Sequence, residues 1–414
     1  MRGVVGVVPL IFLTACAVGE RPYDPERLRE IYGPSARIAD PERNPVVVVP
    51  GILGSRLVDG PSGRVVWGAF GRDSVDPEDP ADAPIVALPL REGAPLADLM
   101  DGVRPDGILQ TLEIDVAGLP IELRAYADLT SILAAGGYRD PALGGEGPFT
   151  AFQFDYDWRR DLVESARRLH VFLLEKRTRV RESIRERTGV VDADIRFDVV
   201  AHSMGALVAR YYVMYGDAEL PAEGVAPRPP WAGRRLVDRL ILVGPPSGGG
   251  VQALERLVQG ESFAGLSFYD PTLLGTMPSI YELLPRSRHR PVEGVSDLLD
   301  PAVWVERGWG LASPSAAAML ATLLPGDDPA ARRRIALDHL AKCLDRARRF
   351  QAALDVPVAE GEGGPIDLYA GDGSDTPSRL ALDPETGELR RIEWAPGDGS
   401  VSERTHRRAL GGAV

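Results

Sequence analysis

Cysteine and lysine are scarce in this chain of 414 residues, which has two cysteines and, at positions 176 and 342, two lysines. Two cysteines cannot form a disulfide framework, and a chain of this length can build a hydrophobic core without one. Acidic residues outnumber basic ones by 60 to 47, so the formal net charge is −13. That balance argues against nucleic acid as a partner.

The N-terminal segment MRGVVGVVPLIFLTAC has one arginine, an apolar stretch and a small-residue end. The stretch is too short to span a bilayer as a helix, but it fits an export signal. Leu-Thr-Ala-Cys resembles the lipobox of bacterial lipoproteins, which implies cleavage before Cys16 and lipidation of its thiol. We therefore predict a lipoprotein signal over 1–16, a tether over 17–44 and a membrane-anchored protein of the bacterial cell envelope. The alternative is an ordinary signal peptide with an unrelated cysteine.

Apolar runs of strand type occur at 45–50, 149–154, 195–200, 236–243, 366–370 and 389–394, with helical patterns between several of them. This alternation predicts an α/β fold over 45–414, with a mostly parallel sheet flanked by helices. In such folds the sites lie at the carboxyl ends of the strands. Residues 59–125 and 251–355 interrupt the pattern and are predicted to be insertions beside the site.

The most informative segment is IRFDVVAHSMGALVARYYVMYG, at 195–216. A buried strand, a serine between small residues and an amphipathic helix are typical of the nucleophile elbow of α/β-hydrolases. Ala201 and Gly205 supply the small residues that the sharp turn requires. The turn sets the Ser203 hydroxyl at a helix N-terminus, so Ser203 is the candidate nucleophile and Met204 N–H one oxyanion donor. The alternative is a chance match in an ordinary strand–helix unit.

The loop GILGS follows the run at 45–50 and predicts the second oxyanion donor. Its glycines allow backbone N–H groups to approach a substrate oxygen closely, and Ile52 is our choice for the donor. The alternative for this loop is a plain turn.

Five segments in order resemble the lecithin:cholesterol acyltransferase family, which includes lysosomal phospholipase A2 and bacterial relatives. They are PVVVVPGILGSRL, FDYDWRRDL, AHSMGALVARYY, LILVGPPSGGG and APGDGSVSERT. The resemblance implies an α/β-hydrolase with Ser203 as nucleophile, Asp398 as the acid and an oxyanion hole at Ile52 and Met204. It also implies membrane-contacting and cap regions in the two insertions. The elbow departs from the family in having alanine for the usual first glycine.

The acid has a competitor, since Gly-Asp-Gly-Ser occurs twice, at 371–374 and 397–400. Asp398 follows the later strand, is continued by Val401 as in the family, and keeps the order Ser…Asp…His. Asp372 and Asp375 also follow a strand, and either fits an Asp-Gly turn. We predict that Asp398 is the acid. Asp157 and Arg159 of the second segment are expected to form a salt-bridged turn.

The predicted triad also needs an imidazole as its base. Among the five histidines only His406 follows Asp398, eight residues later, where a helix is expected to begin. The family has its histidine farther from the acid, so we expect a truncated chain that lacks the final strand and the histidine loop.

Two classes of function follow. The first is a lipid acyl-ester hydrolase or O-acyltransferase that acts on membrane lipid through a serine acyl-enzyme, without metal or cofactor. The second is a non-catalytic lipoprotein that binds lipid or a partner on a degenerate hydrolase scaffold. Head group, acyl chain, acceptor and oligomeric state are left open.

Overall fold

A computed structural model describes residues 43–403 and 405, except 72–73, 117–118, 141–149, 264–266, 359–362, 384–385 and 404, together with Arg27, Glu30 and Gly33. The described strands are β1 Val46–Val49, β2 Ser55–Asp59, β3 Val65–Trp67, β4 Ala69–Phe70, β5 Val103–Ile108, β6 Thr111–Val116, β7 Leu119–Arg124, β8 Ala151–Gln153, β9 Phe197–His202, β10 Val237–Val243, β11 Glu261–Phe263, β12 Ser267–Tyr269, β13 Ile366–Tyr369, β14 Ser374–Leu382 and β15 Leu389–Gly397. The described α-helices are α1 Ala83–Val86, α2 Ala127–Ala135, α3 Leu162–Thr188, α4 Met204–Tyr215, α5 Val251–Gln259, α6 Pro271–Leu274, α7 Pro278–Glu282, α8 Pro301–Arg307, α9 Ala316–Leu323 and α10 Pro329–Leu354.

Five of the predicted apolar runs form one parallel sheet in the order β13-β10-β9-β1-β8. The central strand β1 reads VVVV and is buried along its whole length, because both sheet faces are covered. In register, Val47 lies opposite Val199 on one side and Phe152 on the other. Parallel strands place all their carboxyl ends at one edge, so the loops after β1, β9, β10 and β13 meet there. The predicted α/β-hydrolase fold is confirmed.

Helix α4 follows β9 directly, and all twelve of its residues are buried. The longer α3 begins at Asp161, whose carboxylate accepts hydrogen bonds from Val163 N and Glu164 N, and ends at Gly189 with a φ of 74°. These are the expected start and stop of a helix. The two helices pack on each other, and α4 also packs on β9, β10 and β1 beneath the elbow.

The two segments predicted as insertions have their own secondary structure. Residues 59–125 contribute to two small sheets, β3-β2-β5 and β4-β6-β7, and contain α1. Residues 251–355 hold α5 to α10 and the hairpin of β11 and β12. Their membrane-contacting and cap roles stay predictions. Among the described residues, no helix is both long enough and apolar enough to cross a bilayer.

The chain after β13 differs from the expectation. The run at 389–394 is predicted as a further strand of the parallel sheet, but it belongs to β15, which forms a separate antiparallel hairpin with β14. The turn-type residues of β14, including Pro377, conceal the strand in the sequence. The register shifts beside Pro377, where a strand tolerates proline.

Some predictions fall on residues that the structure leaves undescribed. Cys16, the signal over 1–16 and His406 lie outside the described residues, as does most of the tether.

Candidate active site

Ser203 occupies the strand-to-helix turn between β9 and α4 with φ 50° and ψ −125°. This is a strained backbone conformation for a residue with a side chain. The turn is held by a hydrogen bond of 2.8 Å from Ser203 N to Val243 O. A Cβ on Gly205 would lie 2.2 Å from Pro50 O, so only glycine fits two residues after the serine. Ser203 is half-buried, and among the described residues its hydroxyl has no hydrogen-bond partner.

The two predicted oxyanion donors belong to the loops that meet at this turn. Met204 is the first residue of α4, where the N–H groups of a helix have no intrahelical acceptor. Ile52 lies in the loop after β1, and a Cβ on the neighbouring Gly51 would lie 2.9 Å from Ser203 Cβ. Within the described part of the chain, neither Ile52 N–H nor Met204 N–H has an acceptor. Both are therefore available to a ligand oxygen.

The loop over residues 50–55, which we call the donor loop, is held by the polar ends of four aromatic side chains. The contacts are Tyr156 OH to Pro50 O (2.9 Å), Gly51 N to Tyr126 OH (2.8 Å), Trp67 Nε1 to Leu53 O (2.7 Å) and Trp158 Nε1 to Ser55 O (3.3 Å). Leu53 has a φ of 63°, which is uncommon for leucine and is maintained by this clamping. Sequence reasoning identified the loop but missed the clamp, because its members are distant in the chain.

Asp398 reaches the same edge of the sheet through the hairpin of β14 and β15. Its Oδ1 accepts hydrogen bonds from Ser400 N (2.8 Å) and Val401 N (2.7 Å). A Cβ on Gly371, just after β13, would lie 2.9 Å from Asp398 Cβ, so Asp398 packs at the end of β13. Asp372 and Asp375 are both exposed. The structure therefore brings Asp398, rather than its two competitors, into a fixed and partly buried position.

The four described histidines have different surroundings. His170 contacts Tyr212 OH at 3.1 Å, and His339 is buried with Nε2 3.1 Å from Thr276 O. His289 lines a small cavity together with Gly248–Gly250, Ser400 and Val401.

His202 is the histidine attached to the elbow itself. Its Nδ1 lies 2.8 Å from Tyr126 OH, and the residue is exposed. The surrounding protein lowers the pKa of His202 by desolvation, while the Asp398 carboxylate acts in the opposite direction. Asp398 and His202 thus share one electrostatic environment. No local sequence pattern predicts a role for Tyr126 or His202.

The expected salt-bridged turn at Asp157 and Arg159 is present. The fully buried Arg159 guanidinium contacts Asp157 at 2.8 Å and Asp101 at 2.7 Å, and donates to Val86 O at 2.9 Å. Because Val86 and Asp101 belong to the first insertion, this cluster fixes the insertion to the loop after β8. In the described part of the chain, no group of three acidic, histidine or cysteine side chains is arranged to hold a metal.

Comparison with known proteins gives the family. Residues 103–314, slightly more than half of the chain, match the family model described as lecithin:cholesterol acyltransferase. The chain belongs to the lecithin:cholesterol acyltransferase family. Membership supports lipid acyl-ester hydrolysis or acyl transfer as its general chemistry. The matched range includes the elbow, whereas the donor loop and Asp398 lie outside it.

A solved structure supports the fold independently. A chain in the crystal structure of the Tle4-Tli4 complex superposes with a TM-score of 0.53 at 14% identity, over 89% of this chain and 90% of that chain. At that identity the likeness shows the fold alone. No curated protein matches the chain.

Proposed function

We propose that this acyltransferase-family protein cleaves lipid esters through a covalent acyl-enzyme on Ser203. The Oγ atom attacks the ester carbonyl carbon, its proton passes to an imidazole base, and the alcohol leaves with that proton. Water or a second alcohol then attacks the acyl-enzyme, takes the acyl group and returns a proton to Ser203. The observation that carries the proposal is the strained Ser203 turn beside two N–H groups that have no acceptor in the described part of the chain.

The oxyanion of the tetrahedral intermediate would accept hydrogen bonds from Ile52 N–H and Met204 N–H. Donors fixed in advance stabilise charge that develops in the transition state, and one such donor contributes about 100-fold or more to turnover. Four aromatic contacts fix the donor loop, and the helix α4 fixes Met204. This rigidity supports a catalytic role for both groups.

Asp398 is proposed as the acid that orients the imidazole base. Two backbone N–H groups hold its Oδ1, and its charge acts on the pKa of the elbow histidine. Replacing each of the five histidines in turn with alanine tests whether the base is among them. A variant that loses turnover as Ser203→Ala does would identify the base, whereas the lack of any such variant would agree with the expected loss of the histidine loop.

The decisive experiment is labelling with a fluorophosphonate, which requires an activated serine. We expect the wild-type protein and Ser296→Ala, which changes an exposed serine, to be labelled and to hydrolyse a short-chain ester. Ser203→Ala should lose both properties while staying folded by circular dichroism. Full hydrolysis by a folded Ser203→Ala variant would contradict the mechanism. A wild-type protein that binds lipid vesicles without being labelled would instead support the binding-only alternative.

We also propose that a lipidated Cys16 anchors the protein to the envelope membrane, where its lipid substrate lies. Several acyl groups anchor a protein stably, whereas one saturated chain binds only marginally. Cys16→Ser should release the protein into the soluble fraction or leave its signal uncleaved. An unmodified Cys16 thiol in the membrane fraction, seen by mass spectrometry, would contradict this.

A further inference from the structure

The hydroxyl of Tyr126 lies between the elbow and the donor loop. Gly51 N–H donates to it at 2.8 Å, and His202 Nδ1 lies 2.8 Å away on its other side. The contact with His202 is a hydrogen bond in either tautomer of the ring: the hydroxyl donates when Nδ1 carries no hydrogen and accepts when Nδ1 carries one. Three distant segments thus share one chain of hydrogen bonds: the loop after β1, the start of α2 and the residue before Ser203.

We propose that Tyr126 and His202 are positioning residues that aim Ile52 N–H at the oxyanion. This inference rests on the proposed function, in which Ile52 N–H is an oxyanion donor. Neither side chain needs to touch the reacting atoms; both act through the peptide unit that joins Gly51 and Ile52.

The planarity of the peptide bond supplies the mechanism. Gly51 C=O and Ile52 N–H belong to one rigid trans unit and point in opposite directions, so fixing the carbonyl fixes the N–H. Gly51 O accepts from Gly54 N at 3.1 Å, and Gly51 N is held by Tyr126. With both its polar groups held, Gly51 cannot rotate, and the direction of Ile52 N–H is set.

Glycine at position 51 makes this restraint necessary. A Cβ there would lie 2.9 Å from Ser203 Cβ and 3.3 Å from His202 Nδ1, so no side chain fits. Glycine has more backbone freedom than any other residue, and the loop therefore needs an external restraint at that position. The neighbouring Pro50 carbonyl is held separately by Tyr156, so loss of the Tyr126 contact leaves the loop folded.

The aromatic packing of Tyr126 is separable from its hydrogen bonds. Its ring meets the His202 ring edge-on at 5.7 Å between centroids, a contact that phenylalanine preserves. Tyr126→Phe therefore removes the hydroxyl alone and leaves Gly51 N–H without its acceptor.

The test compares Tyr126→Phe, His202→Leu and the double variant with wild type on a soluble ester. We expect kcat to fall about 10-fold in each single variant with KM within about twofold, since a misdirected oxyanion donor weakens only the transition state. The double variant should fall no further than either single, because both changes break the same chain of hydrogen bonds. His202→Asn, whose amide oxygen can accept from Tyr126, should retain most of the turnover.

Tyr215→Phe is the matched control. This change also removes a single tyrosine hydroxyl, which donates to Ala353 O at 2.9 Å. Tyr215 lies at the end of α4 that is far from Ser203. We expect its kcat to equal that of wild type.

Amide hydrogen exchange gives a readout that does not require turnover. In Tyr126→Phe the peptide that contains Gly51 and Ile52 should exchange faster, while peptides from β9 and α4 keep their wild-type rates. Unchanged exchange there, or wild-type kcat in Tyr126→Phe, would overturn the inference. A Ser203→Ala variant that keeps full activity overturns the proposed function instead, and the exchange result then still decides whether Tyr126 restrains the donor loop.

Discussion

Acid should destabilise this protein through one buried imidazole, that of His339 on α10. The ring is fully buried, and its Nε2 donates to Thr276 O at 3.1 Å. Among the described residues, the buried Nδ1 has no partner. A second ring proton would therefore enter a site without an acceptor. Burial lowers the pKa of His339 from 6.5 to about 4, with desolvation as the main cause.

The direction of the pH effect follows from linkage. Between pH 6.5 and 4 the unfolded chain binds a proton at His339 and the folded chain does not, so stability falls as the pH falls through this range. From the two pKa values, the loss between pH 7 and pH 5 is about 2 kcal/mol.

Urea denaturation at pH 7 and pH 5 measures this loss. In His339→Gln the amide can still donate to Thr276 O but does not titrate. Between pH 7 and pH 5 the free energy of unfolding of the variant should therefore fall by about 2 kcal/mol less than that of wild type, whatever the stability of the variant at pH 7. Equal losses of unfolding free energy in the two proteins would refute the reasoning.

Three further predictions concern single side chains. Gly205→Ala should cost about 3 kcal/mol or prevent folding, because the new Cβ would lie 2.2 Å from Pro50 O; thermal melting measures this. Glu282→Gln should stabilise the protein at pH 8 but not at pH 4. Burial raises the pKa of Glu282, so the wild-type protein loses stability as the pH rises through that raised pKa. Urea midpoints of the two proteins at both pH values show whether the variant is the more stable one. Asp398→Asn should lower kcat at least about 100-fold, whereas exposed Asp372→Asn should stay within about twofold, and the reverse ranking would move the acid to Asp372.

The sheet was predictable because a short run of neighbouring residues is enough to indicate each of its strands. An unbroken VVVV indicates a strand buried on both faces, and a small-residue turn between such a strand and a helix indicates an elbow. The place of Ser203 between a strand and a helix follows from those patterns.

The restraints on the site were not predictable, because they join residues far apart in the chain. Tyr126 is 75 positions from Gly51 and 76 from His202, and no local pattern relates them. The same is true of Trp67, which belongs to the first insertion, and of Trp158, which follows β8. Only the folded chain brings their indole N–H groups to the donor loop.

The two Gly-Asp-Gly-Ser segments show how one local pattern acquires two roles. The first begins just after β13 and leads into β14, while the second ends the hairpin and returns to the same place, where Ser374 bridges Asp398. Gly371 of the first copy lacks the Cβ that would lie 2.9 Å from Asp398 Cβ of the second. The glycine of the first copy therefore leaves space for the aspartate of the second. Asp398 packs against the sheet edge, while Asp372 stays exposed. Sequence order alone cannot show this, since it depends on the hairpin folding back on the strand end from which it departs.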